Sequence, residues 1–161
     1  MSVEQPTERN THPARRPARR VFQVVTAIHT FLYRLSGGII GGRMGKSPVL
    51  LLITTGRKTG KRRTTPLLYL KDGDNLVLVA SYGGAPMHPL WWLNLQAKPQ
   101  TEVEIGRQKV VVVAKQADPE ERKRLWPLLV AMYADYDTYQ KKTVREIPVI
   151  ILSPQSANKG A

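Results

Sequence analysis

The chain has 161 residues, with 25 Lys and Arg against 12 Asp and Glu for a net charge of +13, 42% hydrophobic residues and no cysteine. That length supports one domain with a substantial core but not two, and the lack of thiols excludes disulfide scaffolds, thiolate zinc sites and cysteine nucleophiles. Residues 1–20 hold five cations and two acids, so +3 of the charge sits there and +10 in the rest; a basic surface of this kind calls for nucleic acid, anionic lipid, or a phosphorylated or polycarboxylate small molecule.

No segment reads as a membrane-spanning helix. The longest uncharged run, between Asp74 and Lys98, is broken by Gly83, Gly84, Pro86 and Pro89, and Val21–Tyr33 is too short. Glu4 and Glu8 argue against a secretory signal. Without disulfides, the expected location is the cytoplasm, in solution or at the cytoplasmic face of a membrane.

Residues 1–20, rich in Pro, Arg and small polar residues, read as a disordered basic leader. A single domain is expected over 21–154, with 155–161 a flexible tail. Val21, Val24, Val25, Ile28, Phe31, Leu32 and Leu35 recur at steps of three and four, which predicts a helix with one apolar face, ending at Ser36-Gly37-Gly38. That face packs on the core or, behind Arg15, Arg16, Arg19 and Arg20, lies on a lipid surface. Gly41-Gly42-Arg43-Met44-Gly45-Lys46-Ser47 ends like a phosphate-binding P-loop, but the first required glycine falls on Ile40 and no strand precedes it, so the motif fails.

Pro48–Thr55 is a continuous apolar, β-branched run that suits a buried strand. Pro66–Lys71 is predicted to pair with Asn75–Ser81 across Asp72-Gly73-Asp74, and Thr101–Ile105 with Lys109–Lys115 across Gly106-Arg107-Gln108. Helices are predicted at about His88–Ala97 and from Pro119. Asp118, Pro119 and Glu121 supply the cap, first-turn proline and capping-box partner of the second. Pro127 is expected to end or kink that helix, with Leu128–Gln140 continuing after a break. Ile147–Leu152 closes a set of five or six mostly antiparallel strands with helices outside, an α+β fold built on a small β-barrel.

Three segments could carry chemistry. Residues 56–63 (Gly-Arg-Lys-Thr-Gly-Lys-Arg-Arg) place five cations and two glycines directly after a strand. Glycine lets backbone N–H groups approach a ligand, and Arg and Lys bond phosphate or carboxylate oxygens. This is either an anion site or a solvated basic hairpin tip. Ala80-Ser81-Tyr82-Gly83-Gly84 ends a strand with a hydroxyl and open backbone, fit to bond the edge of a flat ring, ahead of a helix start with His88, Leu90, Trp91, Trp92 and Asn94; the plainer reading is a loop and a core helix. Tyr133, Tyr136 and Tyr139, at steps of three, share a helix face that walls a pocket or packs the core. Three histidines without a carboxylate cluster make no metal site.

In this order and spacing, LLITTGRKTGKRR, TPLLYLKDGDNLVLVAS, SYGGAPMHPLWWLNLQAKP and MYADYDTYQ resemble the deazaflavin-dependent nitroreductase family, over about Val21–Pro154. The resemblance implies a split β-barrel like that of FMN-binding pyridoxamine-phosphate oxidases, and a reductase that passes hydride from reduced coenzyme F-420 to a quinone, menaquinone-like, or to a nitroaromatic. It implies that Arg57, Lys58 and Arg63 hold the phosphodiester and glutamate tail of that cofactor, with Thr59, Thr64, Thr65, Pro66 and Leu67 adjoining. Ser81 and Tyr82 would meet the ring, and Leu90, Trp91, Trp92 and Asn94 border it. Tyr133, Tyr136 and Tyr139 would wall the acceptor side, with Ser81, Tyr133 and Tyr136 the candidates for aiding catalysis. Some family members carry lysine in place of Tyr82. Two other readings stay open: FMN in the same barrel, whose phosphate would suit Arg57 and Lys58, and a nucleic-acid-binding module using the basic segment. The latter lacks aromatic residues interleaved with the cations.

Overall fold

The computed structural model describes residues 16–155, with side chains from Arg20 onward. The expected leader up to residue 15 and the tail from 156 lie outside the described residues. In chain order the elements are α1 (Arg16–Ser36), β1 (Arg43–Met44), β2 (Ser47–Thr55), β3 (Arg62–Leu68), β4 (Leu70–Asp72), β5 (Asn75–Val79), α2 (Leu90–Ala97), β6 (Gln100–Ile105), β7 (Gln108–Gln116), α3 (Pro119–Met132), α4 (Asp135–Lys141) and β8 (Val149–Pro154).

All pairings in the sheet are antiparallel, in the order β2-β6-β7-β8-β5-β4, with β1 and β3 both added to β2. Because β3 and β4 are separated only by Tyr69, one bent strand leaves β2 and crosses to β5, closing the sheet into a barrel. The predicted hairpin is corrected accordingly. Pro66–Leu68 pairs with β2, and Leu70–Asp72 pairs with Asn75–Val77 across the two-residue turn Gly73-Asp74. Pro66, which has no ladder donor, is thereby kept on an edge strand.

Two cores result. Inside the barrel, Leu50, Leu52, Leu78, Val103, Val112, Ile150 and Leu152 meet Trp91, Trp92 and Leu95, so α2 plugs one mouth. Outside it, Leu125, Leu129 and Tyr136 from α3 and α4 cover Val77, Val79, Val149 and Ile151. Each large apolar side chain so enclosed stabilises the fold by about 1.5–3 kcal/mol before its lost freedom is counted.

α3 begins as predicted, with a capping box between Asp118 and Glu121, but it runs through Pro127 without a break and ends at Met132. Leu125 and Leu129 anchor both sides of the proline in the core, while Pro127 and Lys123, whose carbonyl loses its donor, are exposed to water. The break falls at Tyr133-Ala134 instead.

α1 starts at Arg16, five residues ahead of Val21, with Pro17 in the first turn where its missing N–H costs nothing. Its orientation is the reverse of a core helix. Thr30 and Tyr33 are the buried side chains, whereas Val21, Phe22, Val24, Val25, Ile28, Phe31 and Leu35 are all more than half exposed. The docked end is held by polar contacts. Tyr33 Oη donates to a carbonyl of Val49 or Glu104 and accepts from the Gly106 amide at 2.7 Å, and Arg34 makes a two-pronged pair with Glu104 at 2.8 and 2.9 Å. Glu104 is 4% exposed, so removing Arg34 would leave a buried carboxylate with only Lys109, at 3.9 Å, as a cationic partner among the described residues.

Candidate functional site

Four successive antiparallel pairings separate β2 from β5, so the two run the same way and their C-terminal ends open at the same end of the barrel. The basic turn follows one and the Ser81 turn follows the other. The fold thus brings two separate sequence segments to one end, with α2 between them.

In the basic turn, Gly56 N–H bonds the Lys61 carbonyl at 2.8 Å and its own carbonyl accepts from Thr59 and Gly60 at 3.1 and 2.7 Å. Gly60 turns at φ +65°, a conformation that favours glycine. Arg57, Lys58, Thr59, Lys61 and Arg63 are exposed, and among the described residues none of these four cations pairs with a carboxylate. Arg62 differs, pairing with Glu102 at 2.7 Å. Along β3 the side chains alternate. Arg63, Thr65 and Leu67 share one face, Leu67 against the barrel core, while Thr64 and Pro66 share the other. The structure therefore divides the expected set between two faces. The groove of about 880 Å³ on the second face, lined by Arg34, Leu35, Ile53, Arg62, Thr64 and Glu104 among others, contains only Thr64 of the expected residues.

Asn94 has a role beyond bordering a pocket. Only 6% exposed, it donates to Thr54 Oγ1 at 3.2 Å and accepts the Arg57 N–H at 3.1 Å, pinning the basic turn to α2. Trp91 and Trp92 are both enclosed in the barrel core, and Leu90 is exposed beside them.

Ser81 opens a left-handed turn: Tyr82, Gly83 and Gly84 have φ of +48°, +63° and +80°. The two glycines take this shape readily, whereas Tyr82 pays steric strain, a pattern that concentrates at functional sites. Ser81 makes no side-chain cap bond, and Tyr82 is exposed. Gly84 lies against α4 so closely that a Cβ would stand 2.6 Å from the Tyr139 carbonyl. The Ser81 turn and the tyrosine helix are therefore neighbours.

Of the tyrosines, Tyr136 is 5% exposed in the outer core, and its ring meets that of Tyr133 edge-on at 5.1 Å. Tyr133 and Tyr139 are part-buried, with hydroxyls 3.3 Å apart. The Tyr133 phenol is raised above its ordinary value by the hydrogen bond to Tyr139, then by Asp135 and burial; burial, then Tyr139, raises that of Tyr136. Tyr133 and Tyr136 therefore stay protonated at neutral pH.

Arg145 and Gln140 carry no sequence motif and were legible only in three dimensions. The Arg145 guanidinium bonds the carbonyls of Ala80, Ser81 and Ala85, with 2.8 Å to Ser81 and 2.9 Å to Ala85, and meets His88 Nδ1 at 3.4 Å. Gln140 ties the Arg145 and Ile147 backbone together at 2.9 Å each. Burial lowers the Arg145 guanidinium from its ordinary value.

The sequence model of the F420H(2)-dependent quinone reductase family matches residues 25–154. An F420H(2)-dependent quinone reductase of Mycobacterium tuberculosis strain H37Rv is 42% identical over 139 residues, covering 84% of this chain and 93% of that one. Among solved structures, an F420-H2 dependent reductase (FDR-A) is 40% identical with a TM-score of 0.61, over 66% of this chain and 94% of its own. A chain described as a domain-swapped dimer is 35% identical with a TM-score of 0.64, over 85% of this chain and 99% of its own. The heme storage protein HutZ of Vibrio cholerae, at 11% identity, a TM-score of 0.51 and coverage of 81% and 90%, shares the fold alone. With a split β-barrel of this topology and a family match across nearly all the described residues, the chain belongs to the F420H(2)-dependent quinone reductase family.

Proposed function

We propose that this protein is an F-420H2-dependent reductase that passes hydride to a quinone, and that its acceptor is a lipid-soluble, menaquinone-like quinone met at a membrane surface. The observation that carries the first statement is the turn of four exposed cations, without a carboxylate partner among the described residues, at the same barrel end as the Ser81 turn. These residues fit the cofactor. Arg57, Lys58 and Arg63 would hold its phosphodiester and glutamate tail through charge-assisted bonds, with Lys61 adding to the field and Thr59 and Thr65 adjoining. Ser81 and Tyr82 would take the ring edge, with Leu90 beside it.

When bound, the cofactor supplies the hydride. The chain's own part is to bind, orient and exclude water. The Ser81 hydroxyl and the Tyr133 hydroxyl, which lies 3.3 Å from that of Tyr139, would bond an acceptor oxygen as negative charge grows on it. Tyr136 acts through packing, since its ring is in the core and supports Tyr133.

The second statement rests on α1, whose apolar face is turned outward. No helix among the described residues is long and apolar enough to cross a membrane. A helix lying in the interface, with arginines for anionic headgroups, matches the observed exposure and the basic sequence Arg15, Arg16, Arg19 and Arg20 around the start of α1.

The test is fluorescence titration with coenzyme F-420, followed by oxidation of the reduced cofactor with menadione. Binding with turnover supports the reading. Binding of FMN without binding of coenzyme F-420 overturns it, and retention on nucleic acid alone returns the basic turn to that class of partner.

A further inference from the structure

We propose that Arg145 is a positioning residue of the cofactor site, which clamps the Ser81 turn so that the Ser81 and Tyr82 N–H groups face outward as a paired donor for the acceptor-bearing edge of the ring; this rests on the cofactor reading above. Arg145 stands between α4 and β8, far in sequence from residues 80–85. Its guanidinium nevertheless reaches three carbonyls that bracket the turn, those of Ala80, Ser81 and Ala85. A planar fork can hold several acceptors in one fixed arrangement, which a lysine ammonium cannot.

The consequence follows from peptide geometry. In a trans peptide the C=O and the next N–H point in opposite directions. With the Ala80 and Ser81 carbonyls drawn toward Arg145, the Ser81 and Tyr82 N–H groups point away from it. Neither has a protein acceptor among the described residues. Ser81 is half-buried and Tyr82 exposed, so the pair faces accessible space.

The turn also needs a clamp. Tyr82 holds φ +48° without being glycine, and left alone it would relax to the right-handed side. The turn's own backbone bonds are Gly84 N–H to Ser81 O at 3.0 Å and Ala85 N–H to Tyr82 O at 3.1 Å, and its far end, Gly84, packs against Tyr139 of α4, which leaves the Ser81–Tyr82 end to Arg145. Arg145 is itself held, its carbonyl by Gln140 and its N–H by Thr143 Oγ1 at 3.3 Å. Among the described residues it has no carboxylate partner. Its charge is spent on backbone dipoles, a role that a merely stabilising arginine could fill more cheaply with an acid.

The experiment compares wild type with Arg145→Met and Arg145→Lys in two measurements. Hydrogen exchange on cofactor-free protein should show the Gly84 and Ala85 amides, which are bonded within the turn, exchanging at least tenfold faster in both variants, with the β2 core unchanged. Fluorescence titration should show coenzyme F-420 binding at least tenfold weaker in both, by the same factor at low and high salt, because the fork acts through carbonyls and not through the anionic tail. Steady-state kinetics should place the loss chiefly in the KM for reduced cofactor. Unchanged affinity in both variants overturns the proposal even if they melt earlier, and recovery of wild-type affinity by Arg145→Lys overturns the fork. If wild type itself fails to bind coenzyme F-420, the cofactor reading falls and takes the proposed ligand with it. The exchange data, which need no cofactor, still decide whether Arg145 orders the turn.

Discussion

Asn94 and His88 show how single side chains tune the site from beneath. Asn94 links the buried Thr54 hydroxyl to the Arg57 N–H, so Asn94→Ala leaves two polar groups short of partners. A loss of about 1–3 kcal/mol in unfolding free energy is expected from denaturant titration, together with weaker coenzyme F-420 binding as the basic turn loosens. An unchanged affinity would show that the turn needs no such anchor. His88 is lowered below its ordinary 6.5 by burial and then by Arg145. The native state therefore prefers the neutral imidazole, so its contribution is fully present above pH 6.5 and is lost as pH falls through the lower native value. His88→Asn, which keeps an acceptor for Arg145, should flatten the acid side of a melting-temperature profile between pH 7 and pH 5 relative to wild type.

Among the elements, α3 departs most instructively from its sequence pattern. Its start was legible because capping is local: Asp118, Pro119 and Glu121 act within one turn. Its continuation was not, because Pro127 is tolerated only through core anchors on either side that belong to the tertiary fold. Pro127→Ala restores an N–H donor to Lys123 and should raise stability by about 1–2 kcal/mol, less than the full helix-interior cost of proline because the unfolded chain also gains freedom. A thermal melt that moves down would mean the proline shape is needed there. The hairpin before α2 gives the same lesson at smaller scale. Asp-Gly marked a turn correctly, but the partner of Pro66–Leu68 is β2, a choice made by barrel closure at Tyr69.

For the whole molecule, the outward apolar face of α1 and the excess positive charge make one prediction. Val25→Asp with Ile28→Asp should abolish co-sedimentation with phosphatidylglycerol vesicles while leaving menadione reduction in solution within about twofold, since both side chains are more than half exposed on the outer face of α1. If the vesicles ignore wild type, or if the double variant instead turns a dimer into a monomer by light scattering, the face is filled by something other than lipid.

Local chemistry was readable in one dimension. The periodicity of α1, the apolar run of β2, the capping box of α3, the glycine turns and the cation cluster all act over a few residues, so pattern alone reveals them. The ordered segments also carried the family resemblance, and with it the fold class. Direction and company were decided by packing. Strand alternation separates Arg63 and Thr65 from Thr64 and Pro66, and burial assigns Trp91, Trp92 and Tyr136 to the cores. The apolar stripe of α1 faces outward because Tyr33, Arg34 and Thr30 dock the opposite side. Arg145 reaches a turn sixty residues away only because β8 pairs with β5, a contact between distant segments that no local pattern encodes.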